Sequence, residues 1–537
     1  MTFTASESAA IAPFVTNLDR PVFALVNLPE TVKGALFARY SRSPKSLRRL
    51  LLDEFLPNVA AGGAGAAAPL GGDVGVARAE RLYQKVFNEY GDDSVAQLGG
   101  VHLAVEDASN ILTKVLERGR LMAYLEQSTR YIPFTERRGD AWRYLVPSEL
   151  DAHPSLRADY VRTMNAAFET YAAWIEPMRA WYEARHPKNP TDSEGVYRAA
   201  IRAKALDTLR GLLPAATQSN VGIYGTGQAY ETLLLRMRAH PLAEVRATSD
   251  LMLEELRKVI PAFLTRVDQP DRGGRWSAYL SDIRRRTQDI ATRVERQETE
   301  GEARGVDVPE LSLVDFDPEG EIKVVAAALY PVSSTPDAEL LDLARRMSQG
   351  EREAVLRAAV GDRGNRRHKP GRAFERTSYR FDVLTDYGAF RDLQRHRLLT
   401  IDWQALSTRH GYARPEAVVE AGGESAWRDV MNRSAALYHA LVDAGLQDAA
   451  QYAVSMAYRV RFVMDMNARE AMHVIELRTA PQGHPAYRRV CQAMHRLIAD
   501  VAGHRAIAAA MRFADHSEVE LERLQEERRL EARRSRI

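Results

Sequence analysis

Short apolar and alternating segments recur at matching points of the two halves of the chain. Apolar runs closed by proline at residues 21–29 and 321–331 are typical of strands. Alternating apolar and polar residues at 101–107 and 379–385 also predict strands. Because each half begins with one run and continues with one alternating segment, the pattern indicates a duplicated chain.

Longer stretches between these strands carry apolar residues at helical spacing. This spacing predicts a helix over residues 31–57 and mostly helical structure over 151–268 and after residue 424. The run from Ala60 to Gly72 is almost entirely alanine and glycine, which predicts a surface loop. Mixed helices and strands agree with an α/β (α+β) fold class but do not establish it.

The chain has 537 residues, which is too long for one hydrophobic core and suits two domains of roughly 200–250 residues each. The changes in composition predict four segments. They are a first domain at 1–268, a polar linker at 269–310, a second domain at 311–515, and a charged C-terminal tail at 516–537.

Composition excludes several classes of protein. Hydrophobic residues make up 45% and charged residues 27%, which is ordinary for a globular protein, and a net charge of +2 gives no case for bulk nucleic-acid binding. The single Cys491 excludes a disulfide framework and a cysteine-based zinc site, and we predict no metal site. The sequence shows no apolar run long enough to span a membrane and no signal pattern, so we expect a cytoplasmic protein.

An arginine signature occurs twice, as Arg-x-Arg, a spacer, and Ser-Thr-Arg. It occupies residues 118–120 with 128–130, and residues 395–397 with 407–409. A second repeated block places an arginine ten residues after a Leu-Arg pair, at Arg246 and at Arg488, with a His-Pro pair between. Guanidinium groups beside a hydroxyl suit phosphate binding, because the planar fork can pair with two phosphate oxygens.

The first signature resembles that of the flavin-dependent thymidylate synthase family (ThyX), which is Arg-His-Arg, seven residues, Ser, then x-Arg-Tyr. In the same half, residues 91–97 resemble the family's Gly-His-x-Ser-x-x-Glu, and residues 209–214 resemble its Ala-Arg-x-x-Leu-Pro. Glu244-Val-Arg246 resembles its Glu-Ile-Arg. In the second half, Asn467-Ala-Arg469 resembles its Asn-x-Arg element.

The two halves depart from the family pattern in different places. Gly119 replaces the central histidine of the first signature, whereas the second spacer is two residues longer. By resemblance, the nucleotide would be held mainly by the first half, through Arg118, Arg120, Ser128, Arg130, Arg210 and Arg246, with Ser407 and Arg409 as second-half counterparts. The flavin would be held by Arg395, His396, Arg397, Asn467 and Arg469.

The residues themselves support this division in general terms. A hydroxyl with several permanent cations fits a phosphomonoester, although structural ion pairs would use the same residues. His396 lies between two arginines, which would lower its pKa and leave a neutral imidazole able to contact a flavin ring. The resemblance implies that Arg246 or Arg488 stabilises negative charge on the pyrimidine.

The resemblance implies an FAD-dependent enzyme that transfers a one-carbon unit to C5 of deoxyuridine monophosphate. Methylenetetrahydrofolate and NADPH would be co-substrates. Two alternatives remain open: a diverged enzyme that binds FAD and a nucleotide but acts on another substrate, and a non-catalytic nucleotide sensor or nucleic-acid-binding scaffold. The family's fold implies an antiparallel sheet flanked by long helices, here twice, and its homotetramers imply a homodimer acting as a pseudo-tetramer.

Overall fold

The computed structural model describes residues 3–40, 43–56, 97–299, 309–521 and 523–534. The predicted loop at residues 60–72 and the family-like residues 91–96 lie outside the described residues. The chain forms two compact units. Unit 1 contains residues 1–106, 119–126 and 220–303, and unit 2 contains residues 107–118, 127–219 and 304–537.

The helices and strands of the first half follow in this order: α1 (Ala5–Ile11), α2 (Glu30–Tyr40), α3 (Leu47–Leu50), β1 (Gly100–Ser109), α4 (Asn110–Leu116), β2 (Met122–Glu126), β3 (Arg137–Arg138), β4 (Ala141–Trp142), α5 (Pro154–Arg185), α6 (Glu194–Leu209), β5 (Gln218–Thr226), α7 (Gly227–Arg238), α8 (Ala243–Arg257) and α9 (Arg275–Thr299).

The second half continues with β6 (Leu311–Phe316), α10 (Gly320–Leu329), α11 (Asp337–Arg346), α12 (Gln349–Val360), β7 (Ser378–Asp386), α13 (Tyr387–Leu393), β8 (Thr400–Trp403), α14 (Glu416–Glu420), α15 (Glu424–Asp443), α16 (Gln447–Ala450), β9 (Arg459–Asn467), α17 (Ala468–Arg478), α18 (Pro485–Asp500), α19 (Arg505–Ala510) and α20 (Leu524–Arg534).

The strand pairings described for both larger sheets are antiparallel. The strands that correspond between the two halves also occur in the same order in both sheets. The first is ordered β1-β5-β2, and the second is ordered β6-β7-β9-β8 with β6 as an added edge strand. A short helix connects β1 to β2 (α4) and β7 to β8 (α13). The strand between each of these pairs, β5 or β9, is followed by two helices. The predicted mixed fold with antiparallel sheets and long helices is therefore confirmed, and its element order repeats.

Several predicted elements differ from the structure. Residues 21–29 form only an isolated bridge at Leu25, and residues 321–331 lie mainly in helix α10 instead of a strand. The predicted helix over 31–57 is broken into α2, α3 and a π-helical turn, Leu51–Phe55. The short apolar run at residues 321–331 fits a buried strand or a buried helix equally well, and its alanines at 326–328 favour the helix.

The strands predicted at 101–107 and 379–385 are present as β1 and β7. The predicted helical regions after 151 and 424 are interrupted by β5 and β9. Part of the predicted linker is the 25-residue helix α9. The charged tail includes α20, which contacts α6 within unit 2. Arg528 of α20 donates to both carboxylate oxygens of Asp192, which lies just before α6.

Within unit 2 the two halves meet through equivalent backbone segments. Pro214 of the first half bridges Ser455, which stands at the same point of the second half. The amide of Ala215 donates to the carbonyl of Val454 at 2.8 Å, and the amide of Met456 donates to that of Leu213 at 2.9 Å. Each of these two bonds becomes the other when the first and second halves are exchanged. The two segments are therefore related by an approximate two-fold axis.

Candidate functional site

A cluster of charged side chains lies inside unit 2 where the two halves meet. The first half contributes Arg130, Asp207 and Arg210. The second half contributes Asp392, Arg395, Arg478 and His484. We call these seven residues the arginine–aspartate core. Asp207 lies near the end of α6 and Arg210 directly follows that helix, so the two groups project together one turn apart.

Arg130 and Asp207 form the most regular contact of the core. The Nε and Nη2 atoms of Arg130 donate to the two carboxylate oxygens of Asp207, both at 2.9 Å. The remaining Nη1 atom donates to the Tyr487 hydroxyl at 3.1 Å. Burial alone would raise the pKa of Asp207, but Arg130, and then His484 and Arg210, lower it to about 2. The carboxylate is therefore ionised.

Arg210 is held less completely. Its Nε lies 3.5 Å from Asp207, its Nη1 lies 3.5 Å from Asp392, and its buried Nη2 has no hydrogen-bond partner among the described residues. The side chain approaches the backbone at Gly388, where an added Cβ would lie 2.9 Å from the Arg210 Nε. A buried guanidinium with long contacts and one unpaired nitrogen is a donor available to an additional anion.

Asp392 accepts from Arg395 and Arg210 and forms a longer ion pair with Arg478. It pairs closely with Arg395, lies 3.5 Å from Arg210, and lies 4.0 Å from Arg478. Burial opposes ionisation, but these guanidinium groups hold the pKa of Asp392 far below its usual range. The guanidinium of Arg478 also lies over the Tyr487 ring at 5.5 Å.

The charges of the core do not cancel. Four arginines face two ionised aspartates, and burial together with Arg210 and Arg130 lowers the pKa of His484, which leaves that imidazole neutral near pH 7. This sum leaves out Asp386, whose carboxyl lies beside Arg210 and whose pKa is raised by burial. The excess of positive charge favours an anionic ligand such as a phosphate. The core is thus electrostatically suited to a terminal phosphate.

Arg478 joins this core to a second group, which we call the histidine cluster: His396, Glu470 and His473. The Nε of Arg478 donates to the Nε2 of His396 at 2.8 Å, and the Nδ1 of His396 lies 3.6 Å from Glu470. Burial, then Arg478, lowers the pKa of His396 well below its usual value. The predicted neutral imidazole therefore has burial as its main cause, not only its flanking arginines.

The histidine cluster also has the dimensions of a metal site, since ligand atoms of its three residues lie within 4.8 Å of one another. However, Arg478 donates to His396, and the Lys369 ammonium lies 2.7 Å from the Nδ1 of His473. These two cations use one nitrogen of each ring and repel a metal ion. The arrangement favours an uncharged or anionic ligand over a divalent cation.

A cleft of about 660 Å³ opens onto the core within unit 2. Buried Asp207 and Arg210 and half-buried His484 line it, together with Trp181, Tyr182 and Trp427. Cations such as Lys204 and Arg489 and carboxylates such as Glu310 and Asp386 also line the cleft. A concave site with aromatic walls and converging cations suits an aromatic phosphorylated ligand.

Exchange of the two halves assigns Arg210, Asp392 and Arg130 counterparts in unit 2, and these counterparts lack these features. Gln451 stands in the place of Arg210, and its amide is occupied by the Leu406 amide and the Asp448 carbonyl, both at 3.1 Å. Val115 stands in the place of Asp392, and Arg409, the counterpart of Arg130, is exposed. The charged residues that suit a phosphate are therefore all present in the arginine–aspartate core but not among these counterparts.

Other predicted site residues lie outside the core. Arg120 and Arg246 belong to unit 1, where both are exposed and Arg246 donates to the carbonyls of His240 and Pro241. Arg118 pairs with Asp402 at 2.5 Å. Ser128 accepts from the amide of Arg130 at 3.2 Å, Ser407 is buried, and Arg397 is exposed.

Three of the predicted cofactor or catalytic residues make structural contacts. The Asn467 side chain caps α17 by accepting from the amide of Glu470 at 2.9 Å. Arg469 donates to the Pro370 carbonyl at 2.9 Å and contacts Glu375. Buried Arg488 donates to the carbonyls of Thr479 and Ser517, both at 2.9 Å. These contacts fix the orientation of the three side chains.

Sequence reasoning missed the acidic and aromatic partners of the core, Asp207, His484 and Tyr487, together with Glu470 and His473. A signal existed for Arg478 and His484, because both lie in the repeated Leu-Arg and His-Pro block. The spacing of Asp207 three residues before Arg210 is also visible, but an i,i+3 pair is common on exposed helices and carries no mark of burial.

Comparison with known proteins gives a consistent picture. The family model for the thymidylate synthase complementing protein (Thy1) matches residues 58–262 and again residues 312–503. A UPF0159 protein of Chlamydia muridarum is 38% identical over 534 residues, covering 99% of both chains. A UPF0159 protein of Thermoplasma acidophilum is 28% identical over 520 residues, covering 92% of this chain and 97% of that protein.

A flavin-dependent thymidylate synthase of Clostridium tetani is 26% identical over 181 residues, covering 33% of this chain and 67% of that enzyme. Among the described residues no helix combines the length and apolar character needed to cross a bilayer. Because one family model matches both halves in order, the chain belongs to the thymidylate synthase complementing protein family, as a duplicated ThyX-like protein.

Proposed function

We propose that this chain is a flavin-dependent enzyme of thymidylate-synthase type, which transfers a one-carbon unit reductively to C5 of deoxyuridine monophosphate. Methylenetetrahydrofolate would supply the carbon and NADPH the reducing equivalents, with FAD as cofactor. Family membership and the similarity to flavin-dependent thymidylate synthases support the proposal. The observation that carries it is the arginine–aspartate core with its two excess positive charges and the unpaired Nη2 of Arg210.

In this proposal Arg210 and Arg130 hold the nucleotide phosphate. Asp207 pairs with the Nε and Nη2 atoms of Arg130 and so fixes the guanidinium before the ligand binds, which reduces the entropy lost on binding and leaves the Nη1 side to face a phosphate. Arg210 has the nitrogen that is free to donate. The guanidinium groups of Arg130 and Arg478 both lie over the Tyr487 ring, 5.8 and 5.5 Å from its centroid.

The histidine cluster and Arg395 suit the flavin side of the site. His396 is buried and neutral, and Arg478 fixes its ring by donating to Nε2, so the opposite nitrogen carries its proton. Arg395 and Arg397 provide cations at the edge of the cluster for a pyrophosphate. When bound and reduced, the flavin supplies the hydride of the reaction.

Arg478 is the residue that contacts both groups. It touches Asp392 in the core and His396 in the histidine cluster, so it can stabilise negative charge on a pyrimidine placed between phosphate and flavin. The predicted Arg488 is held by backbone carbonyls, whereas Arg478 is not bound to any carbonyl among the described residues. We therefore propose Arg478 for this role ahead of Arg488 and Arg246.

A second candidate function follows from Asp207 and Asp392. These two buried, ionised carboxylates give the core a charge pattern beyond what a phosphate needs, which favours a diverged enzyme that binds flavin and a nucleotide but transforms another substrate. The two candidates share their ligands and differ in the reaction.

Growth of a thymidine auxotroph that expresses the chain separates the two candidates, and the visible spectrum of the purified chain tests both. Growth without thymidine, together with a flavin spectrum, supports thymidylate synthesis. A flavin spectrum without growth, from a chain that is folded and expressed, supports the diverged enzyme. A folded chain that shows no flavin after incubation with excess FAD contradicts both.

A further inference from the structure

His484 presents a hydrogen-bond donor to the cleft that none of the described residues of unit 2 takes up. It lies directly before helix α18, and its Nδ1 atom accepts from the backbone amide of Ala486 at 3.1 Å. Because the amide supplies the hydrogen of that bond, the proton of the neutral imidazole is on Nε2. The Nε2 atom lies 3.8 Å from the Oδ1 of Asp207, which is beyond hydrogen-bonding distance. The Nε2–H group is therefore available to a ligand.

The first half of the chain repeats the local arrangement, within unit 1. His240 also precedes a proline, and its Nδ1 atom accepts from the amide of Leu242, again two residues along the chain, at 3.3 Å. Both rings are neutral near pH 7, because burial lowers the pKa of each. The turn at each His-Pro pair therefore sets the tautomer, and only the groups around the ring differ between the two halves.

Two other donors lie around the same oxygen of Asp207. Its Oδ1 atom accepts from the Nε of Arg130 at 2.9 Å and lies 3.5 Å from the Nε of Arg210. Both Arg210 and His484 line the cleft, and the buried Nη2 of Arg210 has no partner among the described residues. Two unused donors beside one carboxylate fit a ligand group that offers several acceptor oxygens.

Helix α18 directs the positive end of its dipole to the same place. Its 16 residues begin at Pro485, directly after His484, and residues 485, 486, 490 and 493 line the cleft. The N-terminus of a helix of this length favours an anion. Arg210, only 3% exposed, points to the same kind of ligand independently, through its unpaired nitrogen.

We propose that His484 binds the ligand phosphate together with Arg210, by donating from Nε2 to a phosphate oxygen. This inference rests on the proposed nucleotide site and adds one residue to it. Because the imidazole is neutral, it adds a hydrogen bond without a further positive charge, which Arg130 and Arg210 would repel. His484 is thus a ligand-binding residue whose Nδ1 holds the helix and whose Nε2 faces the ligand.

Two substitutions separate the two nitrogens of His484. His484→Asn keeps an acceptor at the place of Nδ1, and so keeps the cap of α18, but removes the donor at Nε2. His484→Gln places an amide nitrogen near the position of Nε2 but caps a helix poorly. His484→Asn should therefore leave the midpoint of thermal unfolding unchanged and weaken binding about tenfold to a hundredfold. His484→Gln should lower that midpoint by a few degrees and keep most of the affinity.

Isothermal titration of the flavin-loaded chain with deoxyuridine monophosphate, and in parallel with inorganic phosphate, measures the affinities. His240→Asn is the matched control in unit 1 and should bind like the wild type. If His484→Asn binds as tightly as a wild-type chain that binds the probe, the role of His484 is overturned and the proposed nucleotide site stands. A larger loss of affinity in His484→Gln than in His484→Asn also overturns it, because binding would then follow the cap.

The two probes distinguish failure of this inference from failure of the proposed function. A wild-type chain that binds inorganic phosphate but not deoxyuridine monophosphate contradicts the proposed function, and the phosphate affinities of the variants then decide the role of His484. A wild-type chain that binds neither probe overturns both.

Discussion

Arg130 and Arg210 show how one residue type serves two purposes in the same core. Arg130 spends two of its donors on Asp207, which gives it a fixed position, whereas Arg210 makes only 3.5 Å contacts and leaves one nitrogen unpaired. A buried guanidinium without a full set of acceptors is costly. A ligand phosphate would remove that cost, which is why Arg210 is the residue on which the proposed nucleotide site depends.

Arg130→Gln should destabilise the fold, because Asp207 would remain buried and ionised without its partner. We expect a loss of about 3 kcal/mol or more in the free energy of unfolding. Denaturant titration followed by circular dichroism measures it. Arg409→Gln is the matched control at the exposed counterpart and should change stability little. Equal effects of the two variants would show that the Arg130–Asp207 pair has no special structural role.

Glu470 should make stability depend on pH. Burial raises the pKa of Glu470 from 4.5 to about 7, against the opposing effect of Lys369 and Arg469. Its stabilising contribution is therefore complete below about pH 4.5 and is lost as the pH rises through 7. Glu470→Gln should match the wild type at pH 5 and exceed it at pH 8, by up to about 3 kcal/mol. A difference independent of pH in thermal unfolding would refute this.

At the residue scale the sequence identified cations better than their partners. Arg130, Arg395 and His396 were predicted from the repeated signature and Arg210 from the family-like element at residues 209–214, and all four lie in or beside the core. Asp207 and Asp392 were not predicted as site residues, because the burial that makes an aspartate important depends on packing between segments far apart in the chain. Arg246 belongs to unit 1, and its sequence context does not reveal this assignment.

Helix α17 shows how an element can account for a residue that a motif assigns to a ligand. Asn467 is its N-cap and satisfies the amide of Glu470, which belongs to the histidine cluster. The cap therefore positions Glu470, whether or not the amide group of Asn467 also meets the flavin.

Two substitutions of Asn467 separate these roles. Asn467→Ala should lower the stability of the protein by about 1 kcal/mol, while Asn467→Asp should keep it, because aspartate caps helices equally well. If Asn467 also holds the flavin through its amide group, Asn467→Asp should lower the flavin content per folded chain. Stability and released flavin, measured on the same samples, decide the point. Retained flavin in Asn467→Asp would leave only the capping role.

The elements that the sequence predicted correctly are those with clear alternation. β1 and β7 were found in this way, and the alternating burial of β9 was also legible in residues 459–467 but went unrecognised within a helical region. Residues 321–331 were assigned the wrong type, because a short apolar run has no distinctive period. Proline at residue 331 ends α10 as readily as it would end a strand.

On the scale of the whole molecule, duplication explains the composite site. The two halves meet in unit 2 through equivalent segments around Pro214 and Ser455, so each place at their interface receives residues from both halves. The two places now differ, because Arg210 and Asp392 stand at one and Gln451 and Val115 stand at the other. The two family matches, at residues 58–262 and 312–503, follow the sequence repeat, whereas the compact units combine segments of both halves.

The stoichiometry of nucleotide binding tests the central claim most directly. Isothermal titration of the flavin-loaded chain with deoxyuridine monophosphate should give one site per chain. Arg210→Gln, which copies the residue of the second half, should weaken binding about tenfold to a hundredfold, and Arg409→Gln should leave it unchanged. Two sites per chain, no binding, or equal losses in the two variants would contradict a single composite site built around Arg210.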